Sequence, residues 1–199
     1  MRMAGVDFAR QEALFQLQEY AGKFGKGEVP IPVPVEQIAE VQFGLVIDRT
    51  ELGEGTSGQL FVADKRIVIN SREPVTRQRF TIGHELGHFC LHRTASGEVR
   101  CPVSCPAERE REANYFSAYL LLPMNLVLLA ISDQINAAVE IAKMEGWVYE
   151  FTSQELHTIS QRLADRFLVS KTTMEIFLSK RFALRAPKQL DLKFSIETA

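Results

Sequence analysis

A chain of 199 residues with 46% hydrophobic side chains is long enough for one domain, or for one domain with a small appendage, around an ordinary core. The formal net charge of −2 gives no overall basic excess, which excludes a general electrostatic attraction to nucleic acid or to an anionic membrane. The three cysteines are an odd number in a chain larger than a typical disulfide scaffold, which indicates a reducing compartment.

The sequence does not indicate secretion or membrane spanning. Residues 1–10 lack the apolar core and the small-residue cleavage site of a signal peptide. The longest apolar run, 120–131, is interrupted by Pro123 and Asn125. We therefore expect a cytoplasmic protein with no membrane partner.

The first seventy residues predict two helices and a small, largely antiparallel sheet. Apolar residues at helical spacing predict helices at 8–24 and 35–41, separated by a proline-rich connector. Runs of β-branched and aromatic residues predict strands at 43–48, 59–63 and 66–70. Asp64 and Lys65 lie between the last two strands, where a tight hairpin turn is expected.

The rest of the chain is predicted to be helical, so the predicted fold class is α+β and mainly helical. Ser71 is expected to cap a helix that ends at His92, and a second helix is expected at 107–122. Further helices are predicted up to residue 144, at 151–168 and at 170–182. The expected organisation is a core at 1–125, a helical extension at 126–186 and a charged tail at 187–199.

The helix predicted to end at His92 contains the sequence His84-Glu85-Leu86-Gly87-His88. Residues i and i+4 share one face of a helix, so both histidines can present a ring nitrogen to one metal ion. Glu85 lies beside that face and can act as a general base towards water without binding the metal. The pattern predicts a zinc-type site, with histidines that merely pack as the alternative.

A catalytic zinc ion needs a third protein ligand besides two histidines. His92 is excluded because eight residues of helix place it roughly 12 Å from His84, and it is expected to cap or pack the helix end. Glu110 on the second helix is the preferred ligand, and Asn114 one turn later is the expected hydrogen-bond partner of a ligand histidine. Glu112 is the competitor, although it faces roughly 200° around the helix from Glu110.

Gly83 and Gly87 interrupt the helix predicted to end at His92 at a cost of about 1 kcal/mol each relative to alanine. Broken local rules of this kind often mark functional sites. The expected reason is room for the second helix, which Ala113 would allow to approach closely, or for substrate backbone.

Residues around the histidine pattern make the chain similar to the ImmA/IrrE family of metallopeptidases. Arg79-Phe80-Thr81 precedes the histidine pattern, and Glu110-x-x-Ala113-Asn114-x-Phe116 precedes Leu-Leu-Leu-Pro at 120–123. The proline-valine segment at 33–39 and the strand at 67–70 also fit. The resemblance covers roughly residues 10–125.

The resemblance implies a zincin-type pair of active-site helices that carries a gluzincin-like site. In this site His84, His88 and Glu110 bind zinc and Glu85 is the general base. It also implies a cytoplasmic protease that cleaves a partner repressor of the helix-turn-helix type and thereby switches on phage, mobile-element or DNA-damage genes. Zinc is the expected cofactor, and Mn²⁺ or Fe²⁺ would accept the same ligands.

Two further features of the sequence are less specific. Peptide hydrolysis needs a donor to the developing oxyanion, for which Tyr115, Tyr119 and His157 are candidates, with ordinary core packing of the aromatic residues as the alternative. Cys101 and Cys105 lie in a loop that does not match the family pattern. A second metal site there is the weaker interpretation, and ordinary thiols are the stronger one.

A rival function is suggested by residues 163–178, which resemble a helix-turn-helix with Ser170 capping the second helix. Lys171, Thr172 and Thr173 would then contact DNA or dock a protein substrate.

Two residues of this segment argue against reading of DNA. Leu168 occupies the turn position often filled by glycine, and Glu175 would repel phosphate. Packing or substrate docking is therefore preferred over DNA binding. A third hypothesis is a regulatory partner that binds a repressor without cutting it.

Overall fold

Seven helices and three strands form the described parts of the chain, residues 5–92, 106–135 and 153–181 of this computed structural model. The helices are α1 (Gly5–Lys23), α2 (Val35–Phe43), α3 (Val75–Leu91), α4 (Ala107–Leu121), α5 (Met124–Ile135), α6 (Ser153–Phe167) and α7 (Lys171–Arg181). The strands are β1 (Val46–Thr50), β2 (Gly58–Phe61) and β3 (Arg66–Asn70). The predicted fold class, α+β and mainly helical, is confirmed.

The chain divides into two compact units. Unit 1 comprises Met1–Pro123 with Phe167–Val169, and unit 2 comprises Met124–Arg166 with Ser170–Ala199. The sheet and helices α1 to α4 belong to unit 1, which also contains the histidine pattern. The predicted tail at 187–199 lies outside the described residues.

The sheet is mixed, so the prediction of a largely antiparallel sheet was wrong in this respect. Strands β2 and β3 form the predicted antiparallel hairpin, in which Leu60 lies opposite Ile67. Strand β1 pairs with the other edge of β3 in parallel, with Ile47 opposite Ile67. Local residue patterns specify each strand, but they do not specify on which edge, or in which direction, a third strand pairs.

The boundary between α2 and β1 differs from the prediction because of a helix cap. Gly44 adopts a φ of 65°, a left-handed conformation that glycine accepts readily. Its N–H donates to the carbonyl oxygen of Glu40, and the N–H of Leu45 donates to that of Ala39. Phe43 therefore ends α2 instead of starting a strand, and β1 begins at Val46.

Helix α3 begins at Val75, and Ser71 is not its N-cap. A proline occupies the cap position without a side-chain hydrogen bond. Asn70 orders the preceding turn instead, because its Oδ1 accepts the N–H of Arg72 at 3.1 Å and its Nδ2 donates to the carbonyl of Thr56 at 3.0 Å. A residue at the end of a strand, with a distant partner, thus sets the start of the helix.

Helices α3 and α4 approach each other closely at the two glycines of α3. A Cβ atom on Gly87 would lie 3.1 Å from the Cα of Ala113, and one on Gly83 would lie 2.6 Å from the Oγ of Ser117. Ser117 is fully buried and donates a 2.8 Å hydrogen bond to the carbonyl of Phe80. The room expected at the glycines is filled by the second helix, which carries Glu110.

Gly83→Ala is expected to lower the free energy of unfolding by about 1–2 kcal/mol. The gain in helix propensity is at most about 1 kcal/mol, whereas displacing a packed hydroxyl from a close helix contact costs about 1–3 kcal/mol. Gly22→Ala in α1 is the matched control, because a Cβ there meets nothing within 4 Å and should stabilise the protein. Urea unfolding of both variants tests this, and equal stabilisation by both changes would refute the close contact.

The described part of unit 2 contains helix α5 and most of helices α6 and α7. The apolar faces of α6 and α7 include buried Leu163, Met174 and Leu178. Ser170 caps α7 as predicted, because its Oγ accepts the backbone N–H of Thr173 at 3.1 Å. Leu168 in the preceding turn has a φ of 53°, the conformation in which glycine is common.

Among the described residues, no single helix is long and apolar enough to cross a membrane. Within the same residues, α4 taken together with the first part of α5 reaches the required length and composition.

Candidate metal centre

His84 and His88 lie one turn apart on α3 and direct their rings towards the same point. Their Nε2 atoms are 3.0 Å apart, and the ring planes meet at 79°. His88 is buried, with 4% of its surface exposed, whereas His84 is half-buried. Both imidazoles therefore offer one nitrogen to a shared position, as expected for residues i and i+4 of a helix.

Glu110 brings a carboxylate from the first turn of α4 to that position. Its Oε2 lies 3.3 Å from the Nε2 of His84, and its Oε1 lies 3.2 Å from the Nε2 of His88. The three side chains form a cluster whose potential ligand atoms all lie within 4.8 Å of one another. The side chain of Glu110 is 42% exposed, so the cluster is accessible from solvent.

The Nδ1 atoms of His84 and His88 make hydrogen bonds on the side away from the cluster, which leaves the lone pairs of the Nε2 atoms to face it. The Nδ1 of His84 lies 3.1 Å from the Oδ1 of Asn114, which accepts its proton. The Nδ1 of His88 lies 2.9 Å from the Nδ1 of His92. Burial is the main cause that lowers the pKa of both His84 and His88, for His88 to about 3, so both rings are neutral at pH 7.

Three groups that act as hydrogen-bond acceptors therefore converge in this cluster, which is unfavourable unless a cation lies between them. Around a tetrahedral zinc ion with bonds of about 2.0–2.1 Å, the ligand atoms are about 3.3 Å apart. The observed separations are 3.0, 3.2 and 3.3 Å. The residues present thus fit a divalent ion of the zinc type, held by His84, His88 and Glu110.

Glu85 lies next to His84 on α3 and has a pKa well above the ordinary value for a glutamate. Burial, together with the charge of Glu110, raises the pKa of Glu85 from 4.5 to about 7. A carboxylate with a pKa near neutrality can both accept and return a proton at physiological pH. Its position beside the cluster suits the general base predicted from the sequence.

Glu112, the competing ligand, is engaged elsewhere. Its Oε2 lies 2.9 Å from the Nε2 of His92, which is buried at the C-cap of α3. Within the described residues, the metal-ligand cluster contains neither of these two side chains. The sequence predicted that His92 caps or packs the helix end, but the contacts of His92 with both His88 and Glu112 were not predicted. The spacing of four residues between His88 and His92 was the signal that could have indicated the first of these contacts.

The three predicted oxyanion donors have different surroundings. Tyr115 and Tyr119 are half-buried on α4, and their rings stack with centroids 6.2 Å apart. His157 is exposed on α6, where its ring nitrogens lie 2.5 and 2.9 Å from the Nζ of Lys171.

The residues proposed to contact DNA or substrate lie at the start of α7. Lys171 also pairs with Glu175 at 3.5 Å, and the hydroxyl of Thr173 lies 2.7 Å from that of Ser170 in the helix cap. Thr172 is exposed. Two of these three side chains, Lys171 and Thr173, therefore already contact residues of α6, α7 or the cap of α7.

Cys101 and Cys105 lie outside the described residues.

Two histidines one turn apart, a carboxylate from the neighbouring helix and a glutamate beside the first histidine define a metallopeptidase-like site. The chain belongs to the peptidase family M78, described as the IrrE N-terminal-like domain, whose sequence profile matches residues 42–179. The resemblance to the ImmA/IrrE family inferred from the sequence is thereby confirmed.

The fold is also similar to a solved structure described as a Mycobacterium tuberculosis transcriptional regulator. The TM-score is 0.55 at 14% sequence identity, and the match covers 87% of this chain and 49% of that chain. This chain thus spans about half the length of that protein, and at this identity the likeness concerns the fold alone. A search of curated proteins finds no significant match.

Proposed function

We propose that this chain is a zinc-dependent endopeptidase that cleaves a partner protein at a specific bond. The observation that carries the proposal is the convergence of His84, His88 and Glu110 on one point, beside a glutamate whose pKa is about 7. Zinc is the proposed ion because two imidazoles and one carboxylate suit it, and Mn²⁺ or Fe²⁺ would accept the same ligands.

When bound, zinc lowers the pKa of a coordinated water molecule towards about 7 and polarises the peptide carbonyl. Glu85 accepts a proton from the attacking water and returns it to the nitrogen of the leaving amine. Asn114 keeps the Nδ1 of His84 protonated, so that its Nε2 retains a lone pair. These residues supply ligand orientation and proton transfer, which are the two tasks of the protein in such hydrolysis.

A hydrogen-bond donor to the developing oxyanion completes the chemistry. Of the three candidates, His157 has both ring nitrogens within 2.9 Å of the Nζ of Lys171. Tyr115 follows Asn114 directly on α4, and Tyr119 stacks on it one turn later. We favour the two tyrosines over His157 for this role because they lie on α4, the helix that carries Glu110.

The proposed substrate is a repressor of the helix-turn-helix type, whose cleavage would relieve repression in the cytoplasm. Membership of the IrrE-like peptidase family supports a regulatory role. The similar fold in a protein described as a transcriptional regulator is consistent with it.

Incubation with the helix-turn-helix repressor encoded nearest to its gene, in the presence of Zn²⁺, is the test of this function. Mass spectrometry should show two new fragments whose masses together equal the repressor plus one water molecule. A chelator that removes zinc should prevent their appearance, and addition of zinc should restore it. A stoichiometric complex with no fragments would instead favour the non-cleaving regulatory partner.

Binding of DNA by the segment at 163–178 is the alternative function. It is less well supported, because Lys171 contacts His157 and Glu175, and the hydroxyl of Thr173 is part of the helix cap. A gel-shift series at rising salt separates the two proposals. The double variant Lys171→Ala, Lys180→Ala removes both lysines of α7. Retardation with a steep salt dependence that is lost in this variant would favour DNA binding.

A further inference from the structure

A buried chain of hydrogen bonds leads from the metal-facing histidine of α3 to a carboxylate of α4. The Nδ1 atoms of His88 and His92 are 2.9 Å apart, and the Nε2 of His92 lies 2.9 Å from the Oε2 of Glu112. His88 and His92 are 4% and 8% exposed. The chain therefore starts at a proposed metal ligand and ends at a residue that the ligand cluster does not include.

The chemistry of the three groups fixes where the protons lie. An ionised carboxylate only accepts hydrogen bonds, so the proton between Glu112 and His92 belongs to the Nε2 of His92. A neutral His92 then has a lone pair on Nδ1, and the proton between the two rings belongs to the Nδ1 of His88. The Nε2 of His88 is left unprotonated and faces Glu110.

The opposite arrangement would be incompatible with metal binding. If His92 carried its proton on Nδ1, a neutral His88 would carry its own on Nε2. That N–H would point at the Oε1 of Glu110, 3.2 Å away, and would occupy the position of an ion. The two tautomers of His88 thus correspond to a cluster that accepts a metal and a cluster that is closed by a hydrogen bond.

The surroundings of Glu112 favour its role as an anchored acceptor. Its side chain is 18% exposed, and its Oε1 lies so close to Gly5 that a Cβ atom there would clash with it. Residue Gly5 of α1 therefore packs directly against this carboxylate and helps to hold it in place as the acceptor for His92.

We propose that His92 and Glu112 are positioning residues that hold His88 in its metal-binding tautomer and thereby set the affinity for the metal. This inference rests on the proposed function, because it assumes that His88 is a ligand. It assigns a role to the two residues that the ligand cluster itself leaves out. Supporting residues of this kind typically contribute about 10- to 100-fold to metal affinity.

Zinc affinity of the full chain, measured by competition with a chromophoric zinc chelator, gives the first test. Glu112→Ala should weaken zinc binding by about 10- to 100-fold. Glu112→Gln should retain most of the affinity, because the amide oxygen can still accept the proton of His92. Glu108→Ala is the matched control: Glu108 is on the same helix, its side chain is 70% exposed, and its removal should leave the affinity unchanged.

The second test reads the tautomer directly in the metal-free protein. The ¹⁵N chemical shifts of the His88 ring should show a proton on Nδ1 in the wild type and in Glu112→Gln. Glu112→Ala should move the proton to Nε2 or produce a mixture of both tautomers. His92→Phe, which keeps a ring but removes the acceptor, should do the same and serves if Glu112→Ala does not fold.

Zinc affinities within about twofold of the wild type in both Glu112→Ala and His92→Phe would overturn the inference, as would an unchanged His88 tautomer. The two proposals fail in different ways. A wild-type chain that does not bind zinc would refute the proposed function, whereas the metal-free spectra would still show whether Glu112 determines the tautomer of His88.

Discussion

Glu85→Gln is expected to reduce cleavage of the partner protein by about 10²- to 10⁴-fold while leaving zinc bound, because a positioned general base contributes about that much and Glu85 is not among the ligands. The amide has nearly the shape of the carboxylate but cannot accept a proton from water. Initial cleavage rates followed by mass spectrometry, together with the zinc content of the purified variant, provide the measurement. Unchanged cleavage would remove Glu85 from the mechanism.

The same change is expected to stabilise the metal-free protein at neutral pH. The pKa of Glu85 is raised from 4.5 to about 7, so between these values the folded state binds more protons than the unfolded state. The free energy of unfolding contributed by Glu85 therefore falls as pH rises through this window. A pKa shift of this size lowers the free energy of unfolding by up to about 3 kcal/mol above pH 7. Glutamine does not ionise, so the Glu85→Gln variant does not lose this free energy.

Urea unfolding in the presence of a chelator at pH 4.5 and pH 8 tests whether this contribution to the free energy of unfolding falls with pH. The stability of Glu85→Gln relative to the wild type should increase with pH across the window. Glu108→Gln, a change at an exposed carboxylate of α4, is the control and should show no such increase. His84 and His88 act in the opposite direction in both proteins, because their lowered pKa values remove stability as pH falls below 6.5.

Glu110→Gln is expected to weaken zinc binding more than the roughly 100-fold that the loss of a supporting residue causes, because it removes a charged ligand. Glu112→Gln, two residues later on the same helix, should have only a small effect, since its carboxylate contacts His92. The contrast between these two variants separates the ligand from its sequence competitor. Equal losses in both would contradict the assignment of Glu110.

Removal of the Glu110 charge should also change the pKa of Glu85. The charge of Glu110 is the second cause, after burial, of the raised pKa of Glu85. In metal-free Glu110→Gln, the pKa of Glu85 should therefore fall below about 7. A ¹³C NMR titration of the Glu85 carboxyl measures it, and an unchanged pKa would show that the two carboxylates do not interact.

The geometry at His84 and His88 could be predicted from the sequence because it depends on the helix period alone. Two residues four apart share a face of a helix in any context, so one helix is enough to bring the rings together. Glu110 required a further step, since its position depends on how α4 packs on α3. The glycines of α3 and Ala113 were the local signals that such close packing occurs.

Features that depend on partners distant in sequence were not predictable. The parallel pairing of β1 with β3 depends on the path of residues 51–57, which carries no strong residue pattern. The start of α3 depends on Asn70, whose side chain bonds to Thr56 and Arg72 instead of leaving the capping role to Ser71. The contact between His92 and Glu112 likewise depends on the register of α3 against α4, which no single helix encodes.

A crystal structure of the full chain grown with Zn²⁺, with anomalous data collected at the zinc absorption edge, tests the central claim most directly. The proposed site predicts one strong anomalous peak at about 2.0–2.2 Å from the Nε2 atoms of His84 and His88 and from a carboxylate oxygen of Glu110. A peak bound by other residues, or no peak between these three side chains, would contradict it.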